Sequence, residues 1–255
     1  MKKITLSALF LILATAFILP VIATIATSFY GERNFTLQNY TDLLFDAFAF
    51  YPAFWNSLLY AGVIVIVQLF VVIPCAFGFA NASFKGKGIL FIFYIILMMM
   101  PLQVTILPNF IGLRDLGLID TRLAVILPAI FSPFGVVVIN QYMQGMNNSI
   151  IEAARLETNS IIKIIFHTVI PQVKICIFAV AVFIFAESWN MLEQPMLFLR
   201  STNLQNLSVF ISESGSYAGN ILFPASVFFF IPVLILYSFF NNYLEKGLTF
   251  GELAK

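Results

Sequence analysis

Charge is what this chain is poorest in. Asp, Glu, Lys and Arg make up 10% of its residues, where a soluble domain carries about a quarter. Acids and bases nearly cancel, for a net charge of +1, so no basic surface points to a nucleic-acid partner. Histidine occurs once, at His167. A metal site gathers several His, Cys or acidic ligands, and none accompanies His167, which reads as a residue on the polar face of a helix. The same scarcity leaves no Ser-His-Asp arrangement. The two cysteines, Cys75 and Cys176, lie far apart in apolar segments and read as small buried hydrophobes rather than a disulfide or metal pair. Low-complexity tracts and a separate soluble domain are also missing.

What is there is apolar. Hydrophobic residues make up 61% of the chain and the mean hydropathy is +0.98, which marks an integral membrane protein. Apolar runs long enough to cross a bilayer, roughly 17–25 residues, fall at 6–27, 57–79, 88–110, 123–142, 171–189 and 223–243. The first follows Lys2 and Lys3 as a signal peptide would. Its apolar run is too long for that, with no convincing cleavage site, so it is expected to stay as a span. The expected architecture is an all-α membrane protein of six transmembrane helices in one unit covering residues 1–255.

Orientation follows from the basic residues. With the N-terminus inside, every lysine falls on the inner side. The outer segments carry only Arg33, Arg114, Arg122 and Arg200, beside Glu32, Asp42, Asp46, Asp115 and Asp120. The outer loops are then 29–56, partly interfacial, the short 111–122, and a long Ser/Asn/Gly-rich one at 190–222 containing SESGSYAGN. The inner segments are the turn at 85–88, a polar stretch at 149–170, and a tail at 244–255. Pro20, Gln68, Pro74, Pro101, Gln103, Pro108, Pro128, Pro133, Asn140 and Pro232 fall within spans. Each proline frees backbone groups that neighbours or water must satisfy. Packing and kinks alone account for any one of them; together they favour a moving pathway over a simple anchor.

The polar stretch is the least membrane-like part of the chain. Glu152, Arg155 and Glu157 crowd within it. Ser149-Ile150-Ile151-Glu152 fits a capping box, in which the serine hydroxyl and the glutamate each satisfy a free amide. Ala153, Ala154 and Leu156 continue a helix of good propensity. Thr158, Asn159 and Ser160 favour caps and turns, so a second short helix begins near Ser160, and Pro171 marks entry to the fifth span. By its own residues this is an interfacial helical hairpin linking two spans.

The whole segment, EAARLETNSIIKIIFHTVIP, resembles the EAA loop of ATP-binding-cassette importer permeases. WNSLLYAG, FANASFKGKG, MMMPLQVTILPNFIGLRDLGLIDT, ESWNMLEQP and GLTFGELAK resemble successive segments of the carbohydrate-uptake, maltose-type permeases, in order and over nearly the whole chain. The resemblance implies a type I importer permease (MetI-like) fold with cytoplasmic coupling helices. It implies that Glu152, Ala153, Ala154, Leu156, Glu157, Thr158 and Asn159 couple the chain to an ATPase, with Glu152-Ala153-Ala154 as the docking edge. Expected partners are a second permease subunit, two copies of a cytoplasmic ABC ATPase, an extracytoplasmic substrate-binding protein, and membrane lipids. ATP and Mg belong to the partner ATPase; no cofactor is expected on this chain. The expected location is the bacterial plasma membrane with both termini cytoplasmic.

The sequence departs from that pattern in reading Glu157-Thr158-Asn159 where the family has acid-glycine-alanine, and in having Asn147-Asn148 where a proline precedes the loop. The inner turn also lacks the family's arginine. Candidate pathway or substrate residues are Gln68, Gln103, Asn140, Glu187, Trp189 and Asn190; for the last three the alternative is an interfacial anchor. Ser214, Gly215, Tyr217 and Asn220 are candidates for contact with the binding protein, in what is otherwise an ordinary flexible loop. The implied function is sugar or oligosaccharide import. The alternatives are a permease-like subunit of an exporter or regulatory complex and, with no cluster of catalytic groups to support it, a membrane-embedded enzyme.

Overall fold

The computed structural model describes the backbone of residues 2–31, 34–217 and 219–253, and side chains at 11–31, 34–147, 149–214 and 221–241. Among these residues the chain is helical throughout, apart from turns and one isolated bridge between Tyr30 and Phe35. Helix α1 (Lys2–Ser28) precedes α2 (Gln38–Thr41), a π-helical turn at Asp42–Asp46, and the long α3 (Phe50–Asn81). Then come α4 (Lys87–Met99), α5 (Leu102–Asp115), α6 (Arg122–Ile130), α7 (Phe134–Gln144), α8 (Asn148–Glu157) and α9 (Ile161–Ile164). A π-helical turn at Ile165–Val169 leads into α10 (Ile170–Trp189), followed by α11 (Glu193–Phe198), α12 (Leu207–Tyr217) and α13 (Gly219–Leu253). Hydroxyl groups in the apolar helices satisfy themselves on the preceding turn. Thr15 donates to the Leu11 carbonyl, Thr24 to that of Pro20 and Ser226 to that of Leu222, as a low-dielectric surrounding requires.

Among the described residues five helical runs are long and apolar enough to cross a membrane, and six if α4 and α5 count as one broken span. The expected span at 88–110 falls on that pair, and it is sharply broken: α4 and α5 meet at 99°. Met100 and Pro101 are both extended there, at φ −70°, ψ 126° and φ −66°, ψ 146°. A proline pushes the residue before it out of the helical region and cannot donate an amide. The fourth span is interrupted more gently at Ser132-Pro133, between α6 and α7: Pro133 keeps helical angles (φ −75°, ψ −16°) and Arg122–Gln144 stays one run. The fifth is the reverse case. No boundary forms at Pro171, and helix runs from Ile161 to Trp189, with the π-helical turn at Ile165–Val169 just before the proline, the kind of local adjustment that accommodates a proline inside a span.

Helix α3 is the axis of the bundle, packing on α6, α7, α10 and α12, while α10 also packs on α13 and α13 on α1. Trp189 at the end of α10 meets Phe54 near the start of α3, so the two run antiparallel. Segment α8–α9 therefore lies at one end of the bundle and α11–α12 at the other. One core joins α3, α7 and α10 through Val72, Ile139 and Val180. The approach of these helices needs Gly135, since a Cβ there would sit 3.1 Å from Val72 Cγ1 and 3.3 Å from Val180 Cγ1.

The expected flexible loop at 190–222 is instead mostly helical. Its order comes from the first turns of α3. Asn56 donates to the carbonyls of Asn203 and Gln205, Tyr60 donates to that of Leu204, and the Ser57 hydroxyl accepts from the Leu207 amide at 2.7 Å. Leu207 and Val209 are fully buried. The tail at 244–255 begins as a continuation of α13, which runs to Leu253; residues 254 and 255 lie outside the described residues.

Candidate functional site: a cleft between broken helices and an open helix pair

Both breaks in the spans open onto one cleft of about 590 Å³. Met98 and Met100 bring the α4–α5 break to it, and Ser132 and Pro133 the α6–α7 break. Irregular backbone at membrane depth is tolerated where it lines a cavity, and that is how helix interruptions are used here. Polar side chains reach the cleft from four elements: Gln68 on α3, Asn109 on α5, Glu187 and Ser188 on α10, and Gln194 on α11. Gln68 points its Nε2 at the carbonyl of Ser132, 3.5 Å away in the break. Asn190 lines a neighbouring recess with Glu187, and its own amide is tied back to the Ala186 carbonyl at 2.7 Å.

The other candidates fall elsewhere. Gln103 Nε2 donates to both carboxylate oxygens of Glu193, at 3.2 and 3.4 Å, and so joins α5 to α11 beside the cleft. Asn140 is fully buried away from the cleft. It donates to the Ala76 carbonyl on α3 and accepts from Gln144, which makes it a strut between α3 and α7. Trp189 presents no surface on which a sugar could stack, being 0% exposed. Its ring lies parallel to Phe185 and its Nε1 donates to the Phe229 carbonyl at 3.1 Å. Ser214 is buried, with its hydroxyl on the Phe210 carbonyl. Gly215 and Tyr217 belong to α12 and Asn220 to α13 by backbone; their side chains lie outside the described residues.

At the opposite end, α8 and α9 each carry a side-chain cap at the N-terminus, and α8 is mostly open. The first cap is not the expected box at Ser149. Asn147 is the N-cap, its Oδ1 accepting from the Ser149 amide at 3.0 Å and from the Ser149 hydroxyl at 2.8 Å. Asparagine caps as well as serine does, and taking that role two residues earlier leaves Glu152 without a capping role. The second cap is the expected one, Ser160 Oγ accepting from the Lys163 amide. Thr158 supports it by accepting from the Ser160 amide, and both Thr158 and Ser160 are extended. The turn that lacks the glycine therefore closes through side-chain oxygens, without positive φ. Ile151 is buried and Ala154 packs against the main core, whereas Glu152, Ala153, Arg155, Leu156 and Glu157 are exposed. Ala154 therefore does not belong to an outward edge with Glu152 and Ala153; positions three apart share a face, and Ile151 takes Ala154 inward with it. Leu156 points outward and is 91% exposed. Asn159 is exposed and Thr158 half-buried. His167 follows on the π-helical turn, its Nδ1 against the Lys163 carbonyl.

Residues 71–250 match the family of binding-protein-dependent transport system inner membrane components. The chain belongs to this family. It is 34% identical over 219 residues to the arabinooligosaccharides transport system permease protein AraQ of Bacillus subtilis, covering 85% of this chain and 78% of that one. Its fold is that of a chain in the crystal structure of a bacterial ABC transporter for import of the acidic polysaccharide alginate. The TM-score is 0.82 at 20% identity, covering 95% of this chain and 96% of that one. A second structure of a bacterial alginate transporter, in complex with alginate pentasaccharide-bound periplasmic protein, matches at TM-score 0.71 and 16% identity over 94% of each chain. The chain is thus a multi-pass inner-membrane transport component with the importer permease fold.

Within that component, sequence reasoning missed three residues. Asn109 and Gln194 give no signal of their own in an apolar string; only the bend at Pro101 and the turn into α11 bring them to the cleft. Asp120 is the third. It adopts φ 60° and closes the α5–α6 turn onto the chain after α11. Its amide donates to the Phe198 carbonyl, Oδ1 accepts from the Arg200 and Ser201 amides, and Oδ2 accepts from the Ser201 hydroxyl at 2.6 Å. These donors hold its carboxyl below the usual aspartate range, the Ser201 hydroxyl foremost. Asp and Asn tolerate the left-handed region better than most residues, and Gly117-Leu118-Ile119-Asp120 was the available turn signal.

Proposed function

We propose that this chain is the permease subunit of an ATP-driven importer for a sugar or oligosaccharide, forming half of a translocation pathway with a second permease subunit. The open face of α8 carries the reading. A helix whose inner face is fixed to the bundle by Ile151 and Ala154, and whose outer face holds Leu156 among charged residues, is built to enter a partner's groove as a rigid body. Apolar anchors seated in pockets dominate such interfaces. The partner is a cytoplasmic ABC ATPase in two copies, which holds the ATP and Mg. Glu152, Ala153, Leu156 and Glu157 make the contact, and Thr158 and Asn159 set the angle between α8 and α9. On this reading α8 and both termini are cytoplasmic, which the lysine distribution supports. The cleft side then faces an extracytoplasmic substrate-binding protein.

ATP-driven closure of the ATPase pair moves α8. The motion passes directly into the fifth span, because α9, the π-helical turn and α10 are one continuous run. The resemblance to a permease for arabinooligosaccharides supports a carbohydrate substrate. Affinity isolation of the assembled complex tests the reading. Leu156→Asp and Glu152→Lys should each release the ATPase while the two permeases stay together. Retention of the ATPase by both variants, or isolation of the wild type without any ATPase, would overturn it.

A further inference from the structure

The cleft contains polar side chains that the fold does not use. Gln194 is 8% exposed, and its Oε1 is buried in the cleft wall with no hydrogen-bond donor among the described residues. Leaving a buried acceptor unpaired costs about 1–3 kcal/mol, and a group held at that cost serves something other than folding. Asn109 and Glu187 line the same cleft from α5 and α10. Neither makes a side-chain hydrogen bond or ion pair with the described residues. By contrast, the neighbouring Gln103, Glu193 and Thr105 are all engaged. No Lys, Arg or His lines the cleft among the described residues; Glu187 is its one acidic side chain.

We propose that Asn109, Glu187 and Gln194 are the substrate-contacting set of this subunit, and that they pass neutral polyhydroxylated substrates while rejecting anionic ones. Hydroxyl groups donate and accept at once, which suits two carboxamides and one carboxylate. Methionine and phenylalanine side chains on the same walls (Met98, Met100, Phe131, Phe134) offer apolar surface to the C–H faces of a sugar ring. A uronate or phosphate would find no cation there to pair with, and an unpaired anion taken out of water is costly. The same fold serves an importer of an acidic polysaccharide, so charge selection here belongs to side chains, not to architecture. The inference rests on the permease reading above.

The test uses the complete transporter in proteoliposomes with two labelled probes, neutral arabinotriose and anionic trigalacturonate. Assembly with the ATPase, and ATP hydrolysis stimulated by the binding protein, are measured first and without sugar; failure there strikes the permease reading alone. The wild type should carry arabinotriose at least tenfold faster than trigalacturonate. Gln194→Leu and Asn109→Leu, on different walls, should each lower arabinotriose uptake about tenfold with stimulated ATP hydrolysis within twofold of wild type, and Gln194→Asn should recover part of the loss. Trigalacturonate uptake equal to that of arabinotriose would overturn the proposal. So would unchanged arabinotriose uptake in both leucine variants, or an assembled, ATP-hydrolysing wild type that carries neither probe.

Discussion

Trp189 decides between two roles for the aromatic end of the fifth span, and its replacement separates them by magnitude. Trp189→Phe keeps a ring against Phe185 and Phe54 but removes the Nε1 donor to Phe229. The Phe229 carbonyl remains inside helix α13, so no buried acceptor is orphaned. The loss is a net hydrogen bond, about 0.5–1.5 kcal/mol. Contraction of the ring inside a fully closed site leaves a void, which adds about 1–2 kcal/mol by the cost of residual cavity volume. The sum is about 1.5–3.5 kcal/mol. Trp189→Ala removes the whole ring from between α3, α10 and α13 and belongs in the range of about 3–5 kcal/mol. Thermal unfolding of the solubilised complex, followed by size-exclusion recovery after heating, should rank wild type above Trp189→Phe and Trp189→Ala last. At a temperature where all three remain folded, the KM of arabinotriose uptake should be the same for wild type and Trp189→Phe. A KM raised tenfold in Trp189→Phe at unchanged thermal stability would refute the structural role and restore this ring as a sugar platform.

Gly135→Ala should destabilise by about 1 kcal/mol. Overpacking against Val72 and Val180, which are nearly inaccessible, costs about 1–3 kcal/mol, and the better helix propensity of alanine offsets about 1 kcal/mol of it. Denaturant titration checks this, and a gain in stability would show that the helices can part. Asp120→Ala should loosen the turn between α5 and α6, read as faster hydrogen exchange at Arg200 and Ser201. The same contact sets an acid limit. The Asp120 carboxyl is lowered from 3.8 in the folded chain, so its stabilisation is complete above that value and is lost as pH falls through the lower folded one. Exchange at Arg200 and Ser201 should therefore stay protected from neutral pH to about pH 4 and rise only below it; a rise already near pH 6 would contradict the geometry.

The helices were legible because a membrane leaves few alternatives. Apolar runs must satisfy their backbone internally, so runs such as 223–243 could hardly be anything else. The second cap at Ser160 was legible for a related reason, since hydroxyl-bearing residues stop helices through bonds to their own neighbours. The first cap was misplaced by two residues because asparagine and serine are both strong capping residues, and local chemistry does not rank Asn147 against Ser149.

Sequence alone determined that this chain crosses a membrane several times, that a short charged helix pair interrupts the grease, and which motifs it shares with importer permeases. Those properties depend on composition, local hydrogen bonding and order along the chain. Tertiary structure decided the rest. It turned a loop rich in Ser and Asn into helices, because Asn56, Ser57 and Tyr60 on α3, some 150 residues away, supply the partners for its backbone. It buried Trp189 and Asn140 and turned Ala154 inward. It also brought Asn109 to the same cleft as Glu187 and Gln194, across a 99° bend. A side chain's chemistry is written in the sequence, but whether it meets water, core or substrate depends on which helices stand beside it.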